Sequence, residues 1–114
     1  MNRLLLVCAA GLLIAGCDSA STPTSIPGNG QTQTTNTNYD CGSGGKLAVT
    51  YLNNDPNAVA IVETGDNQKI MMVNVVAASG AKYVGGIWEW WTKNESGTLS
   101  NLQTQKTMEC QATK

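Results

Sequence analysis

The chain has no histidine and no phenylalanine, and only three tryptophans and three tyrosines among its 114 residues. Histidine is the usual general acid or base in enzymes and a principal nitrogen ligand of zinc. The chain has no histidine, and the four cysteines are all accounted for below by the signal, a lipid anchor and a disulfide. We therefore expect no metal and no other cofactor. Carboxylate pairs such as Glu89 with Glu95 exist, and glycosidase chemistry needs such a pair, but a core this small should form no catalytic cleft. The sequence argues against an enzyme.

Arginine is also absent from residues 39–114, where six lysines accompany seven carboxylates. A nucleic-acid-binding domain of this size would show a basic stripe along one face or helix. The near-neutral balance therefore excludes nucleic acid as the expected partner.

No apolar run reaches the roughly twenty residues that a membrane-spanning helix requires. The longest, residues 4–14, follows Arg3 and has the composition of a secretory signal. The letters "IAGC" at 14–17 resemble a bacterial lipobox. This resemblance implies cleavage before Cys17 and a durable lipid anchor on it, so that the protein is held at a membrane of the cell envelope and faces the periplasm. Whether that membrane is the inner or the outer one stays open.

Residues 18–38 are rich in Thr, Ser, Asn and Gln and poor in apolar side chains. Such a composition predicts a disordered linker, whose fully stretched length would be about 70 Å. The remaining residues, 39–114, form one predicted domain. Since Cys8 leaves with the signal and Cys17 carries lipid, Cys41 and Cys110 should form a disulfide in the oxidising periplasm.

Apolar residues of this domain alternate with a period of two, between turns rich in Gly, Asn, Asp and Pro. Short segments of this kind predict an all-β antiparallel meander, and closure into a small barrel of about eight strands would remove exposed edges. The predicted strands are 46–52, 58–63, 69–76, 81–84, 87–93, 98–102 and 106–110. We expect an interior without a ligand cavity, filled by one face of the tryptophan strand together with Leu47, Val49, Val59, Ile61, Met71 and Val73.

All three tryptophans lie in the segment "IWEWWTK" at 87–93. Alternation puts Trp88 and Trp90 on one face of a strand and Glu89 and Trp91 on the other. We expect the tryptophans to serve mainly as core, with Trp91 partly exposed.

The motifs "SGAKY" (79–83) and "WWTK" (90–93) follow each other inside a domain that opens with "YDC" and closes with "MEC". Together with "VTYLNNDPNAVAIVE" (49–63) and the lipobox, they make the chain resemble the membrane-bound inhibitors of c-type lysozyme and their periplasmic relatives. The resemblance implies an eight-stranded antiparallel barrel with one disulfide, and c-type lysozyme as the protein partner.

The same resemblance implies a lysozyme-binding site that occludes the enzyme's active site. Its Ser-Gly-x-x-Tyr motif falls on Ser79, Gly80 and Tyr83, and the lysine of its Trp-x-Lys-Gly motif falls on Lys93. Together with Thr92, which precedes that lysine, these are the five residues expected to bind lysozyme. Ser79 and Lys93 are the side chains expected to enter the cleft against the catalytic carboxylates. Gly80 would allow close backbone approach, and Tyr83 would pack and orient the loop.

One residue departs from the family pattern, and two other functions are compatible with the composition. The family has glycine after the lysine, whereas this chain has Asn94, a residue that tolerates left-handed backbone conformations. A glycan-binding envelope module that stacks sugars on Trp91 and Tyr83, or a structural lipoprotein without a site of its own, would also fit the composition.

Overall fold

The computed structural model describes residues 24–113. The predicted signal peptide (1–17), the lipidation at Cys17 and residues 18–23 of the predicted linker lie outside the described residues. Within residues 24–113, no helix has the length and apolar character needed to cross a membrane.

Eight strands account for most of the described chain, and each pairs antiparallel with the next. They are β1 (Gln33–Asp40), β2 (Lys46–Asn54), β3 (Asn57–Glu63), β4 (Lys69–Val75), β5 (Ala81–Gly85), β6 (Trp88–Lys93), β7 (Ser96–Asn101) and β8 (Lys106–Ala112). The sheet closes because β1 also pairs with β8, with Tyr39 opposite Ala112. The predicted closed, antiparallel, eight-stranded barrel is confirmed.

A disulfide joins Cys41 to Cys110, with the two Cα atoms 4.0 Å apart. Cys110 lies in β8, and Cys41 follows directly after β1 rather than within it. The predicted Cys41–Cys110 bond is confirmed, and it joins the end of β1 to β8, the two strands whose pairing closes the barrel. The two cysteines are 69 positions apart in the sequence, and in the chain-entropy model closing a loop of that length contributes about 4 kcal/mol to stability.

The barrel interior is organised around four aromatic rings, one each from β1, β2, β5 and β6: Tyr39, Tyr51, Tyr83 and Trp90. The Trp90 ring packs edge-to-face with Tyr39 at 4.9 Å between centroids. Its Nε1 donates a 2.8 Å hydrogen bond to Tyr51 Oη, which also lies 2.8 Å from Tyr39 Oη. Every ring but that of Tyr83 thus has its polar atom in this shared network, and among residues 24–113 no buried side-chain nitrogen or oxygen lacks a partner.

The inward face of β3 and β4 is the opposite of the predicted one. Both strands are apolar at odd and even positions, so alternation alone does not decide which set is buried. The register decides it, because Val49 on β2 lies opposite Val62, and Val62 lies opposite Ile70. The residues buried in these strands are Ala60, Val62, Ile70 and Met72, whereas Met71 and Val73 are 61% and 51% exposed. Val59 and Ile61 are only partly buried.

The predicted disordered linker is wrong for residues 24–38. Residues 33–38 belong to β1, which pairs along its whole length with β2. Ahead of β1, the amide of Asn54 donates to the carbonyls of Ile26 and Gly30 and accepts from the Gly30 N–H. The composition is polar because most β1 side chains are exposed, while hydrogen bonds of the backbone to β2 and Asn54 supply the order.

Loops leave the barrel at two ends. The upper end carries the connections at 55–56, 76–80 and 94–95, and the lower end carries those at 41–45, 64–68, 86–87 and 102–105. A cavity of about 700 Å³ opens at the lower end, lined by Trp88, Met108 and polar residues of three connections. This cavity is open to solvent at the end of the barrel, where Trp88 and Met108 are partly buried, and it does not lie within the buried core.

Candidate functional site

The predicted site residues come together at the upper end, on two neighbouring connections. The β4–β5 loop carries Ser79 and Gly80, and β6 ends with Thr92 and Lys93. Strands β5 and β6 pair so that Ala81 lies opposite Thr92, and Thr92 Oγ1 donates a 3.3 Å hydrogen bond to the Ala81 carbonyl. This register brings the Ser-Gly turn alongside the end of β6.

Gly80 lies close against the end of β6. Its φ of 66° lies in the left-handed region, which residues with a Cβ rarely adopt. A Cβ on Gly80 would lie 2.1 Å from the Thr92 carbonyl oxygen and 2.8 Å from Lys93 Cγ. A glycine is required here because any side chain would separate the Ser79 loop from Lys93.

Asn94 occupies a two-residue turn between Lys93 and Ser96, which are paired across β6 and β7. Its φ is 54°, so it adopts the left-handed conformation for which the family pattern has glycine. The turn is held from both sides: Ser96 Oγ donates to the Lys93 carbonyl at 3.0 Å, and the Ala112 N–H donates to the Glu95 carbonyl at 2.7 Å. The substitution of asparagine for glycine leaves the turn intact.

Trp91 connects the two parts of the site. Its indole Nε1 donates a 2.9 Å hydrogen bond to the Ser79 carbonyl, and the Lys93 ammonium lies 4.8 Å from its ring centroid. Trp91 is partly exposed on the outer face, whereas Trp90 is fully buried. Both positions agree with the predicted division of the tryptophan strand.

Tyr83 lies inside the barrel rather than on its surface. It is 7% exposed, its ring centroid is 5.7 Å from that of Tyr51, and burial raises the pKa of its phenol. This location supports the packing role expected for Tyr83 next to the loop. A buried ring cannot stack on a sugar, so the glycan-binding alternative loses one of its two expected platforms.

The site is a projection rather than a pocket. Ser79 and Lys93 are both exposed, and none of the five predicted site residues lines the cavity at the lower end. Among residues 24–113, no group of three or more cysteine or acidic side chains is arranged to hold a metal ion. An exposed hydroxyl and an exposed ammonium group on neighbouring connections are suited to donating hydrogen bonds to carboxylates of another molecule.

Residues 39–108 match the family model described as membrane-bound lysozyme-inhibitor of c-type lysozyme. Similar proteins, each named a membrane-bound lysozyme inhibitor of C-type lysozyme, come from Pseudomonas aeruginosa, with 43% identity over 65% of this chain, and from Cupriavidus necator, with 45% over 56%. The aligned regions cover 58% and 50% of those proteins, so the chain spans little more than half the length of these relatives. An Escherichia coli protein of the same name is 29% identical over 87% of this chain and 82% of its own length.

The fold is also similar to a solved structure, that of Pseudomonas aeruginosa MliC in complex with hen egg white lysozyme. The TM-score is 0.69 with 37% sequence identity, and the similarity covers 79% of this chain and 92% of that one. The relative with this fold was thus crystallised bound to a lysozyme.

Proposed function

Because the chain belongs to the family of membrane-bound inhibitors of c-type lysozyme, we propose that it inhibits a c-type lysozyme by occupying the active-site cleft of that enzyme with Ser79 and Lys93. The observation that carries this proposal is the pairing of the Ser79–Gly80 turn with the end of β6, which presents both side chains at the upper end of the barrel. The function is binding without chemistry, and its effect would be to protect peptidoglycan.

The chemistry of the target supports this assignment. C-type lysozyme uses two carboxyl groups, one ionised and one kept protonated by a raised pKa. An ammonium that enters the cleft meets a partly desolvated anion, where a charge-assisted hydrogen bond is stronger than one on an exposed surface. A serine hydroxyl both donates and accepts, so Ser79 suits the protonated carboxyl as well as the ionised one.

A double substitution tests the mechanism on the full-length protein. Ser79→Ala with Lys93→Ala should abolish inhibition of hen egg-white lysozyme acting on a cell-wall suspension. Since both side chains are exposed, the melting temperature should change by less than about 2 °C. Ser43→Ala with Lys46→Ala is the matched control, because these residues are an exposed serine and lysine at the lower end. Undiminished inhibition by the site variant would refute the mechanism.

We also propose that Cys17 carries the lipid that holds the protein at the cell envelope. The support is the lipobox-like sequence at 14–17 and the description of the family as membrane-bound. Metabolic labelling with palmitate should mark the wild-type protein in the membrane fraction. Cys17→Ser should remove both the label and the membrane association, and a labelled Cys17→Ser protein would refute this assignment.

A further inference from the structure

The ring of Trp91 has a second ammonium group over it, from a residue that no motif singles out. Lys82 Nζ lies 4.2 Å from the Trp91 ring centroid, closer than Lys93 Nζ at 4.8 Å. Lys82 on β5 is the direct cross-strand partner of Trp91 on β6. Lys93 lies two residues beyond Trp91 and therefore on the same outer face. One partly exposed indole thus gathers two cations beside the Ser79 loop.

The position of Lys82 leaves its charge available to a partner molecule. Its cross-strand neighbours are Val75 on β4 and Trp91 on β6, and neither carries a charge. The nearest carboxylate along β6 on the outer face is Glu89, which lies opposite Val84 and Ser100 rather than Lys82. Lys82 is itself partly buried, so its aliphatic stem is held in the sheet surface while its head lies on the ring.

We propose that Lys82 is a further lysozyme-contacting residue of the site, that it offers a second ammonium group to an acidic group at the edge of the cleft, and that Trp91 is the positioning residue for Lys82, Lys93 and the Ser79 loop. This inference rests on the proposed function. It adds to that function a second cationic contact and a reason for the tryptophan at position 91.

The relative strengths of the interactions favour this arrangement. A cation–π contact at an exposed site is weak, whereas a charge-assisted hydrogen bond to a desolvated carboxylate is stronger. The indole therefore restricts the lysine rotamers in the free protein, and the ammonium groups leave it when a carboxylate is offered. Because a lysine otherwise loses much rotamer entropy on binding, holding both lysines in advance lowers the cost of association.

The test compares lysine substitutions in the full-length protein, titrated against hen egg-white lysozyme. Lys82→Gln should raise the inhibition constant about fivefold or more and weaken the dependence of the association rate on ionic strength. Lys82→Arg, which keeps the charge, should stay within about twofold of the wild type. Lys46→Gln, an exposed lysine at the lower end, is the control for loss of one charge and should change neither quantity.

The positioning role of Trp91 has a separate readout in the unbound protein. The ring current should shift the ε-methylene proton resonances of Lys82 and Lys93 upfield of those of Lys46, and Trp91→Leu should abolish the difference. Resonances of Lys82 and Lys93 that already coincide with those of Lys46 in the wild type would overturn this role.

The outcomes separate the inference from the function on which it rests. If the wild type inhibits lysozyme and Lys82→Gln inhibits as well as Lys46→Gln does, the contact role of Lys82 is overturned while the proposed function stands. If the wild type leaves lysozyme fully active, the proposed function is overturned and the inference falls with it. A selective loss in Lys82→Gln that Lys82→Arg restores supports both.

Discussion

Trp90 Nε1 lies 2.8 Å from Tyr51 Oη. The largest buried side chain of the barrel, in β6, thus makes its one polar contact with a tyrosine of β2, which lies on the opposite side of the barrel. The two residues are 39 positions apart in the sequence. With Tyr39 Oη as the third member, the contact ties β1, β2 and β6 together across the interior. It therefore orients the strand whose outer face carries Trp91 and whose end carries Lys93.

This network predicts a dependence of stability on alkaline pH. Burial, and then the hydrogen bond with Tyr39, raise the pKa of Tyr51 above its ordinary value of 10.0. The unfolded chain releases this proton near pH 10 while the folded protein keeps it, so the stabilisation is complete below about pH 9 and is lost as the pH rises further. The free energy of unfolding measured in urea should begin to fall near about pH 10 and should keep falling as the pH rises above about 11.

Tyr51→Phe is the matched variant for that measurement. It should be less stable than the wild type at neutral pH by about 1–3 kcal/mol, because Trp90 Nε1 loses its acceptor. Its alkaline slope should be shallower, since one perturbed phenol is gone and Tyr83, whose pKa burial also raises, remains. A slope equal to that of the wild type would show that Tyr51 titrates alike in the folded and unfolded chains.

Gly80→Ala should weaken inhibition while the barrel stays folded. The added methyl group would overlap the Thr92 carbonyl oxygen, and the left-handed backbone adds about 1–2 kcal/mol of strain. The Ser79 loop should therefore move away from Lys93, with an inhibition constant raised about tenfold or more. Gly30→Ala is the control, since a Cβ there meets nothing within 4 Å. Equal inhibition by the two variants would contradict the need for close approach at position 80.

Asn94 should be replaceable by glycine but not by alanine. Its φ of 54° costs a residue with an ordinary Cβ about 1 kcal/mol, while asparagine and glycine accept it. Chemical denaturation should show Asn94→Ala less stable by about that amount and Asn94→Gly within about 0.5 kcal/mol of the wild type. Inhibition by Asn94→Gly should equal that of the wild type. Much tighter inhibition by the glycine variant would mean that the asparagine side chain obstructs the partner.

Asn54→Ala should release the segment ahead of β1. Asn54 is 6% exposed, and its side chain makes three hydrogen bonds to the backbone of Ile26 and Gly30. Their loss should cost about 2 kcal/mol, and hydrogen exchange at 26–30 should accelerate. Asn57→Ala is the control, because this exposed residue makes one such bond, at 2.7 Å to the Pro27 carbonyl. If hydrogen exchange at 26–30 is unchanged in Asn54→Ala, the hydrogen bonds of Asn54 do not hold this segment on the barrel.

The fold was largely predictable because turns and alternation are local signals. Seven strands were expected from them. The closure was expected from the exposed edges that an open sheet would leave, and the Cys41–Cys110 bond from the loss of Cys8 and the lipidation of Cys17. Strand β1 was not, because its sequence "QTTNTNYD" has no apolar alternation and its order comes from pairing with β2. The prediction of which side chains of β3 and β4 point into the barrel was wrong for a related reason. The register between strands determines this, and register cannot be read from a single sequence.

The site shows the same division between local and cross-strand information. Ser79, Gly80, Thr92 and Lys93 came from motif resemblance, and the structure brings them together. The part missed was Lys82, whose relation to Trp91 exists only because β5 and β6 pair in one particular register. Asn54 was also missed: it lies between the predicted strands 46–52 and 58–63, among residues typical of turns, and its partners lie more than 20 residues away.

The hydrogen bonds of Asn54 set how far the barrel can lie from the lipid anchor proposed at Cys17. With residues 26–30 held on the barrel, nine peptide steps separate Cys17 from Ile26, and they extend at most about 32 Å. A tether of this length would confine the barrel to a thin layer next to the bilayer and would keep it out of most of the cell wall. Its local concentration within that layer would be high. If the barrel inhibits lysozyme as proposed, it would act only on enzyme that has come within this distance of the membrane, and protection would be greatest there.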